Sequence, residues 1–183
     1  MRVISGKRKG LHLKAVPGQS TRPTTDKVKE SIFNMVGPYF NGGKMLDLYA
    51  GSGSISIEAL SRGMEHAILV DRDRKAIETI HMNLKTCKFE DVTEVYRTES
   101  TRALKAVQKK DIQFDLIFLD PPYAKQRLDD EIAFIDTNSL LAPSGTIVVE
   151  HVVDVNLTNS YTNFEKIKEE RYGDTVISIF HYK

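Results

Sequence analysis

The segment FDLIFLDPPYAKQ, residues 114–126, joins an apolar run to a carboxylate, two prolines and an aromatic ring. Pro121 has no N–H, and both prolines hold φ at about −65°. Asp120 and the Pro121 carbonyl therefore make a stiff pair of acceptors, with Pro122 and Tyr123 beside them. Such a pair suits an amino group on a planar heterocycle, whose lone pair is delocalised into its ring. Acceptors on its two N–H bonds draw the nitrogen toward tetrahedral geometry and offset the positive charge it gains on attacking an electrophile. Tyr123 would stack on the base, a contact of about 1–3 kcal/mol, and a base inside a structured nucleic acid would have to be extruded. The plain alternative is a strand stop with a capping Asp and a packing Tyr.

A second constellation lies upstream. KMLDLYAGSGSISIEAL passes from strand to helix through Gly51 and Gly53, with Asp47 ending the strand. Glycines here let the backbone approach a ligand and leave N–H groups free at a helix N-terminus. The dinucleotide fingerprint requires a further glycine where this chain has Ser56, so a site cradling the pyrophosphate of NAD is disfavoured. Asp71 ends the next strand, HAILVD, where an acidic side chain can hold ribose hydroxyls or merely cap the following helix. After the third strand, Glu99 offers a polar group to an adenine edge, or a first-turn helix charge. Together these groups suit a nucleoside carrying a positive centre, such as the sulfonium of S-adenosylmethionine.

Positioning these groups at strand ends requires a particular frame. From Lys44 on, strand-like and helix-like runs alternate strictly: KMLDLYA, SISIEALSRG, HAILVD, RKAIETIHMNLKTC, DVTEVYR, TRALKAVQKK, FDLIFLD, LDDEIAFIDTNSLL, GTIVVEH. That alternation predicts an α/β fold, a parallel sheet with helices on both faces. FEKIKEERYG and DTVISIFHYK then predict a terminal antiparallel hairpin. Residues 1–43 read as an extension, a basic hairpin over 1–16 followed by a helix capped by Thr25 with Val28, Ile32, Met35 and Val36 on one face. Residues 44–183 form the domain proper. In such a sheet the fourth strand lies beside the first, so Asp120 should face the Gly51–Gly53 loop across one crevice.

Composition narrows the classes. No apolar run approaches the roughly 18 residues of a membrane span, and MRVISGKRKG lacks the stretch a signal peptide needs, so a cytoplasmic protein is expected. Cys87 is the single cysteine, which excludes an internal disulfide, and the five histidines are too scattered for a metal site. Net charge is only +1, yet residues 1–30 hold eight basic side chains against Asp26 and Glu30. A basic arm on a near-neutral chain points to a polyanion met at one end, with Arg8 and Lys9 as contacts, or to a solubilising surface.

DLYAGSGSISIEALSRG, LVDRD and FLDPPY, in that order, resemble the class I S-adenosylmethionine-dependent methyltransferases of the RsmD type. The most specific part is STRPTTDKVKESIFN, ahead of the glycine loop. The resemblance spans nearly the whole chain and implies a Rossmann-like, mainly parallel seven-stranded sheet. It also implies methylation of the exocyclic N2 of a guanine in 16S ribosomal RNA, within an assembling small subunit, by a monomer without metal or membrane. Asp47, Gly51 and Gly53 would hold the methionine part of the cofactor, Asp71 its ribose and Glu99 its adenine. Asp120, Pro121 and Tyr123 would hold the target amine and ring, and Arg22, Pro23 and Thr24 would cover the substrate crevice. Relatives usually carry a short Asp or Asn followed by Ala where this chain has Glu99-Ser100. The competing readings are a DNA adenine-N6 methyltransferase, for which the 43-residue preamble leaves no recognition domain, and a non-catalytic RNA-binding protein on the same fold.

Overall fold

The structure, a computed structural model, describes residues 1–18, 24–122 and 127–183. Its elements follow the expected alternation: α1 (Asp26–Val36), β1 (Lys44–Asp47), α2 (Ser54–Ser61), β2 (His66–Asp71), α3 (Arg74–Cys87), β3 (Thr93–Arg97), α4 (Ser100–Lys109), β4 (Phe114–Leu119), α5 (Leu128–Thr137), β5 (Leu141–Val152), β6 (Phe164–Tyr172) and β7 (Thr175–Tyr182). Local chemistry sets several starts. The Thr25 hydroxyl accepts from Val28 N at the head of α1, and Asp73 accepts from Lys75 N at the head of α3, satisfying N–H groups no helical carbonyl can reach. Among the described residues no helix is long and apolar enough to cross a membrane.

The sheet order is β3-β2-β1-β4-β5-β7-β6. Strands β1 to β5 run parallel, and β7 inserts antiparallel between β5 and β6. The order reverses between β1 and β4, which creates a crevice beyond their C-terminal ends. Side-chain alternation divides the core in two. Met45, Leu69, Leu116, Phe118 and Val148 pack with Phe33, Ile57 and Ile80 of α1–α3. Leu46, Ile68, Ile117 and Val149 pack with Leu104, Ile132 and Ile135 of α4 and α5. Burial on both faces explains why these strands read as unbroken apolar runs.

The N-terminal hairpin is reduced to one bridge, Arg2 to His12, with Val3 N donating to Leu11 O and Leu13 N to Met1 O. Gly10 N also donates to Val3 O across it, and further backbone bonds tie the hairpin to helices. Ile4 N and Ser5 N donate to the two oxygens of Glu58 on α2 at 2.9 and 3.1 Å, and Lys14 N to Asn83 Oδ1 on α3 at 2.9 Å. Val3 and Leu13 enter the same core as β1 and β4.

The expected apolar face of α1 is corrected in one respect. Ile32 is buried, but Val28, Met35 and Val36 are only half-buried, and Phe33 and Lys29 complete the hidden face. Lys29 Nζ donates to Arg2 O (2.6 Å) and Ser54 Oγ (2.9 Å) and lies 3.6 Å from Glu58. Glu58 in turn takes Arg62 Nε at 2.8 Å. Burial pulls the Lys29 pKa down while Glu58 holds it up. This buried, hydrogen-bonded charge network clamps the N-terminal segment and α1 onto α2.

Candidate active site

Four adjacent parallel strands each carry a carboxylate on one face at or near the C-terminal end. Asp47 follows Met45 on β1, Asp71 follows Leu69 on β2, Asp120 follows Phe118 after β4, and Glu150 follows Val148 on β5; each is two residues past a side chain packed toward α1–α3. Period-2 alternation therefore aims all four into the crevice beneath those helices. Their mutual influence agrees: Glu150 and Asp47 both raise Asp120, and Asp71 raises Asp47.

The Asp47 and Asp71 half of the row belongs to the glycine loop. Gly53 caps α2 in the left-handed conformation (φ +82°), and an added Cβ would lie 3.3 Å from Leu69 Cδ2. Gly51 is also left-handed (φ +57°), with open space where a side chain would stand. Gly51 N donates to Asp71 Oδ2 and Asp73 N to Asp71 Oδ1, both at 2.9 Å. Asp71 thus fixes the loop, while Asp73 supplies the helix cap. Asp47 is 1% exposed. Its Oδ2 accepts from Ser56 Oγ at 2.8 Å, and its Oδ1 has no hydrogen-bond partner among the described residues. Desolvation, against hydrogen bonds from Ser56 and the Tyr49 backbone and with repulsion from Asp71, pushes its carboxyl up to about 7. A buried orphan acceptor behind an open glycine turn fits a cationic donor group from a ligand. Glu99 stands at the N-cap of α4, exposed, 3.7 Å from Arg72.

The other half of the row faces it across the switch point. Asp120 is raised well above the usual carboxylate range, first by desolvation and then by Glu150 and Asp47. It is half-buried at the crevice, with Pro121 buried behind it and Pro122 exposed. Glu150, pushed up by burial, is held by Thr24, whose Oγ1 donates to Oε2 at 3.0 Å. Reading the strands one by one overlooked Glu150. The signal was there, since GTIVVE ends like the three strands already singled out, but the β5 pairing was needed to give it weight. Tyr123 and Arg22 lie outside the described residues.

A family model described as "Conserved hypothetical protein 95" matches residues 1–181. The chain is 54% identical over 180 residues to "Putative rRNA methyltransferase YlbH" of Bacillus subtilis, covering 98% of each protein. It is 30% identical over 180 residues to "Ribosomal RNA small subunit methyltransferase D" of Escherichia coli, covering 98% of this chain and 89% of that one. The chain belongs to the RsmD family. Its fold agrees: a solved Escherichia coli structure, "Putative methyltransferase yhhF", superposes with a TM-score of 0.85 at 31% identity, covering 100% of this chain and 98% of that one.

Two further features of this RsmD-family chain were not legible beforehand. Tyr49, from the loop after β1, donates to Glu131 of α5, and its hydroxyl lies 2.9 Å from Ser100 Oγ. Ser100 Oγ also donates to Glu131 Oε1 at 3.0 Å. The loop after β1 and the first turns of α4 and α5 are thereby tied by groups 51 and 82 positions apart, a separation no local pattern reveals. The basic turn, in contrast, lies away from the crevice. Lys7 N and Arg8 N bond Ser61, the last residue of α2, and Arg8 Nε donates to Cys87 O at the end of α3 while stacking on Phe89. Both helices start at the strand C-terminal edge, so their ends sit about 12 Å or more from it. Lys9 is exposed there.

Proposed function

We propose that this RsmD-family protein transfers a methyl group from S-adenosylmethionine to the exocyclic N2 of a guanine in 16S ribosomal RNA, within an assembling small subunit. The relatives are named ribosomal RNA methyltransferases. The observation that carries the chemistry is the carboxylate row across the β1–β4 switch point, with Asp47 on the glycine-loop side and Asp120 on the other. Carboxyls crowded in a desolvated crevice repel one another, and a bound cation relieves that repulsion. Asp47, Gly51 and Gly53 would hold the amino-acid part of the cofactor, Asp71 its ribose and Glu99 its adenine end. When bound, the cofactor supplies an electrophilic methyl on a positively charged sulfur.

The protein's own groups do the rest. Asp120 and the Pro121 carbonyl accept from the two N–H bonds of the target amine, direct its lone pair and offset the charge that develops on nitrogen. Tyr123 stacks on the extruded base. The nitrogen becomes acidic only as its new C–N bond forms, and the Asp120 carboxylate, whose proton affinity is raised, can take the released proton. Most remaining acceleration comes from holding nitrogen, methyl carbon and sulfur in line. The protein's position in the cytoplasm and as a monomer follows from the same reading.

The test is incubation with labelled S-adenosylmethionine and unmodified ribosomal RNA, with and without bound ribosomal proteins, followed by digestion and nucleoside analysis. N2-methylguanosine is expected; N6-methyladenosine, or no label, rejects the reading. Calorimetry with S-adenosylmethionine beside NAD checks the cofactor independently.

A further inference from the structure

The stiff Asp120-Pro121 pair grips an amine, and an amine is what guanine and adenine share. What differs is the neighbouring ring position: guanine N1 carries a hydrogen, adenine N1 a lone pair. Selecting guanine therefore needs an acceptor one position along from the amine grip, fixed so that it cannot turn away. Glu150 occupies such a place. The register Leu119 to Val149 makes Asp120 and Glu150 neighbours on adjacent parallel strands, a spacing of about 4.8 Å. Its phase on β5 turns it to the same face as Asp47 and Asp120. Thr24 Oγ1 holds Oε2 at 3.0 Å. A carboxylate has about four acceptor positions, so one hydroxyl leaves most of that capacity directed at the crevice. A side chain with no role beyond the strand would gain nothing from half-burial there, where burial raises its own cost of ionisation and its charge raises that of Asp120.

We propose that Glu150 accepts the N1–H of the target guanine and so selects guanine over bases that present the same amine beside an unprotonated ring nitrogen. This rests on the guanine-N2 reading above. An ionised acceptor facing a ring lone pair repels it, and a site built to bond a hydrogen rejects an analogue lacking it by factors reaching about 10⁴–10⁵. A role limited to steadying Asp120 would lower turnover on every base equally.

The decisive experiment compares two RNAs, identical except that the mapped target guanosine is replaced in one by 2-aminopurine riboside, which keeps the amine and loses the N1 hydrogen together with O6, a loss common to wild type and variant. For the wild type, kcat/KM on guanine should exceed that on 2-aminopurine by at least about 100-fold. In Glu150→Gln the amide N–H can donate to the bare nitrogen, and the ratio should collapse to within about 10-fold. Unchanged binding of S-adenosylhomocysteine, measured by calorimetry, shows that the variant is folded. A wild type that makes N2-methylguanosine while Glu150→Gln keeps the wild-type preference overturns this inference alone. A wild type that makes none overturns the functional reading and this inference with it.

Discussion

Thr24 Oγ1 donates to Glu150 Oε2 at 3.0 Å, joining residues 126 positions apart. The bond fixes Thr24, just ahead of α1, against Glu150 near the C-terminal end of β5, so a residue that no strand supplies stands beside the carboxylate row. Thr24→Val keeps the shape and removes the donor. We expect the KM for RNA to rise several-fold with little change in S-adenosylhomocysteine affinity. An equal loss of both would mean that Thr24 supports the fold at large.

Asp120→Ala removes one acceptor of the amine grip and the proton's destination. Loss of a preorganised group of this kind costs about 10²–10³ in turnover. We expect labelled methyl transfer to fall by at least that factor while cofactor binding, by calorimetry, stays within a few-fold. Parallel loss of both would reassign Asp120 to the cofactor side.

Asp47 sets a pH dependence. With its carboxyl at about 7 in the folded protein and about 4 in the unfolded chain, the folded state holds a proton that the unfolded state has released. Stability from this group is thus full below about pH 4 and lost as pH rises toward 7. Asp47→Asn abolishes that loss, worth on the order of a few kcal/mol. Melting temperatures at pH 5 and pH 8 test this: the variant's advantage should be larger at pH 8, and an equal difference at both would refute it. Cofactor affinity should fall in the same variant, the usual exchange of stability for function.

Lys29 is 0% exposed and paired with Glu58. Lys29→Ala strands part of a buried carboxylate's compensation and should cost about 3–5 kcal/mol, read from denaturant midpoints. Because Arg2 O and the Glu58 bonds to Ile4 and Ser5 share this network, limited proteolysis should also nick the first sixteen residues faster. Unchanged cleavage there would show that Val3, Leu13 and the bonds to Ser61, Cys87 and Asn83 hold the segment without Lys29.

Lys9 offers a clean test of the basic turn, since Arg8 is occupied with Cys87 O and Phe89. If the RNA wraps past the crevice to this edge, Lys9→Glu should reduce the salt slope of RNA binding by about 0.7–0.9 for each phosphate that Lys9 neutralises in the wild type, without lowering turnover at saturation. An unmoved slope makes the turn a solvated surface.

Much of this was written in the sequence. Strand-helix alternation sets a parallel sheet because each apolar run must be covered on both faces, and β2 and α3 fall on their expected bounds. Asp47, Asp71 and Asp120 could be picked out because each closes an apolar run, where a carboxylate has no packing role. The prolines after Asp120 declare their stiffness by covalent structure alone. The first sixteen residues do turn back on themselves through the antiparallel Arg2–His12 bridge, but their bonds to Glu58 and Asn83 were not legible, because weak alternation names no partner so far along the chain.

What the tertiary structure decided is which of these groups meet. Alternation says that a strand has two faces and is silent on which face turns toward α1–α3, so the common orientation of four carboxylates required the pairing register of β2, β1, β4 and β5. Lys29 looks like a surface charge until Glu58 is brought to it from another helix, and Glu150 looks like the end of one more strand until Thr24 and Asp120 stand on either side. Types and local order are fixed by bonds between neighbours. Burial, shared protons and convergent acceptors are fixed by residues distant in the chain, and only the folded molecule brings those together.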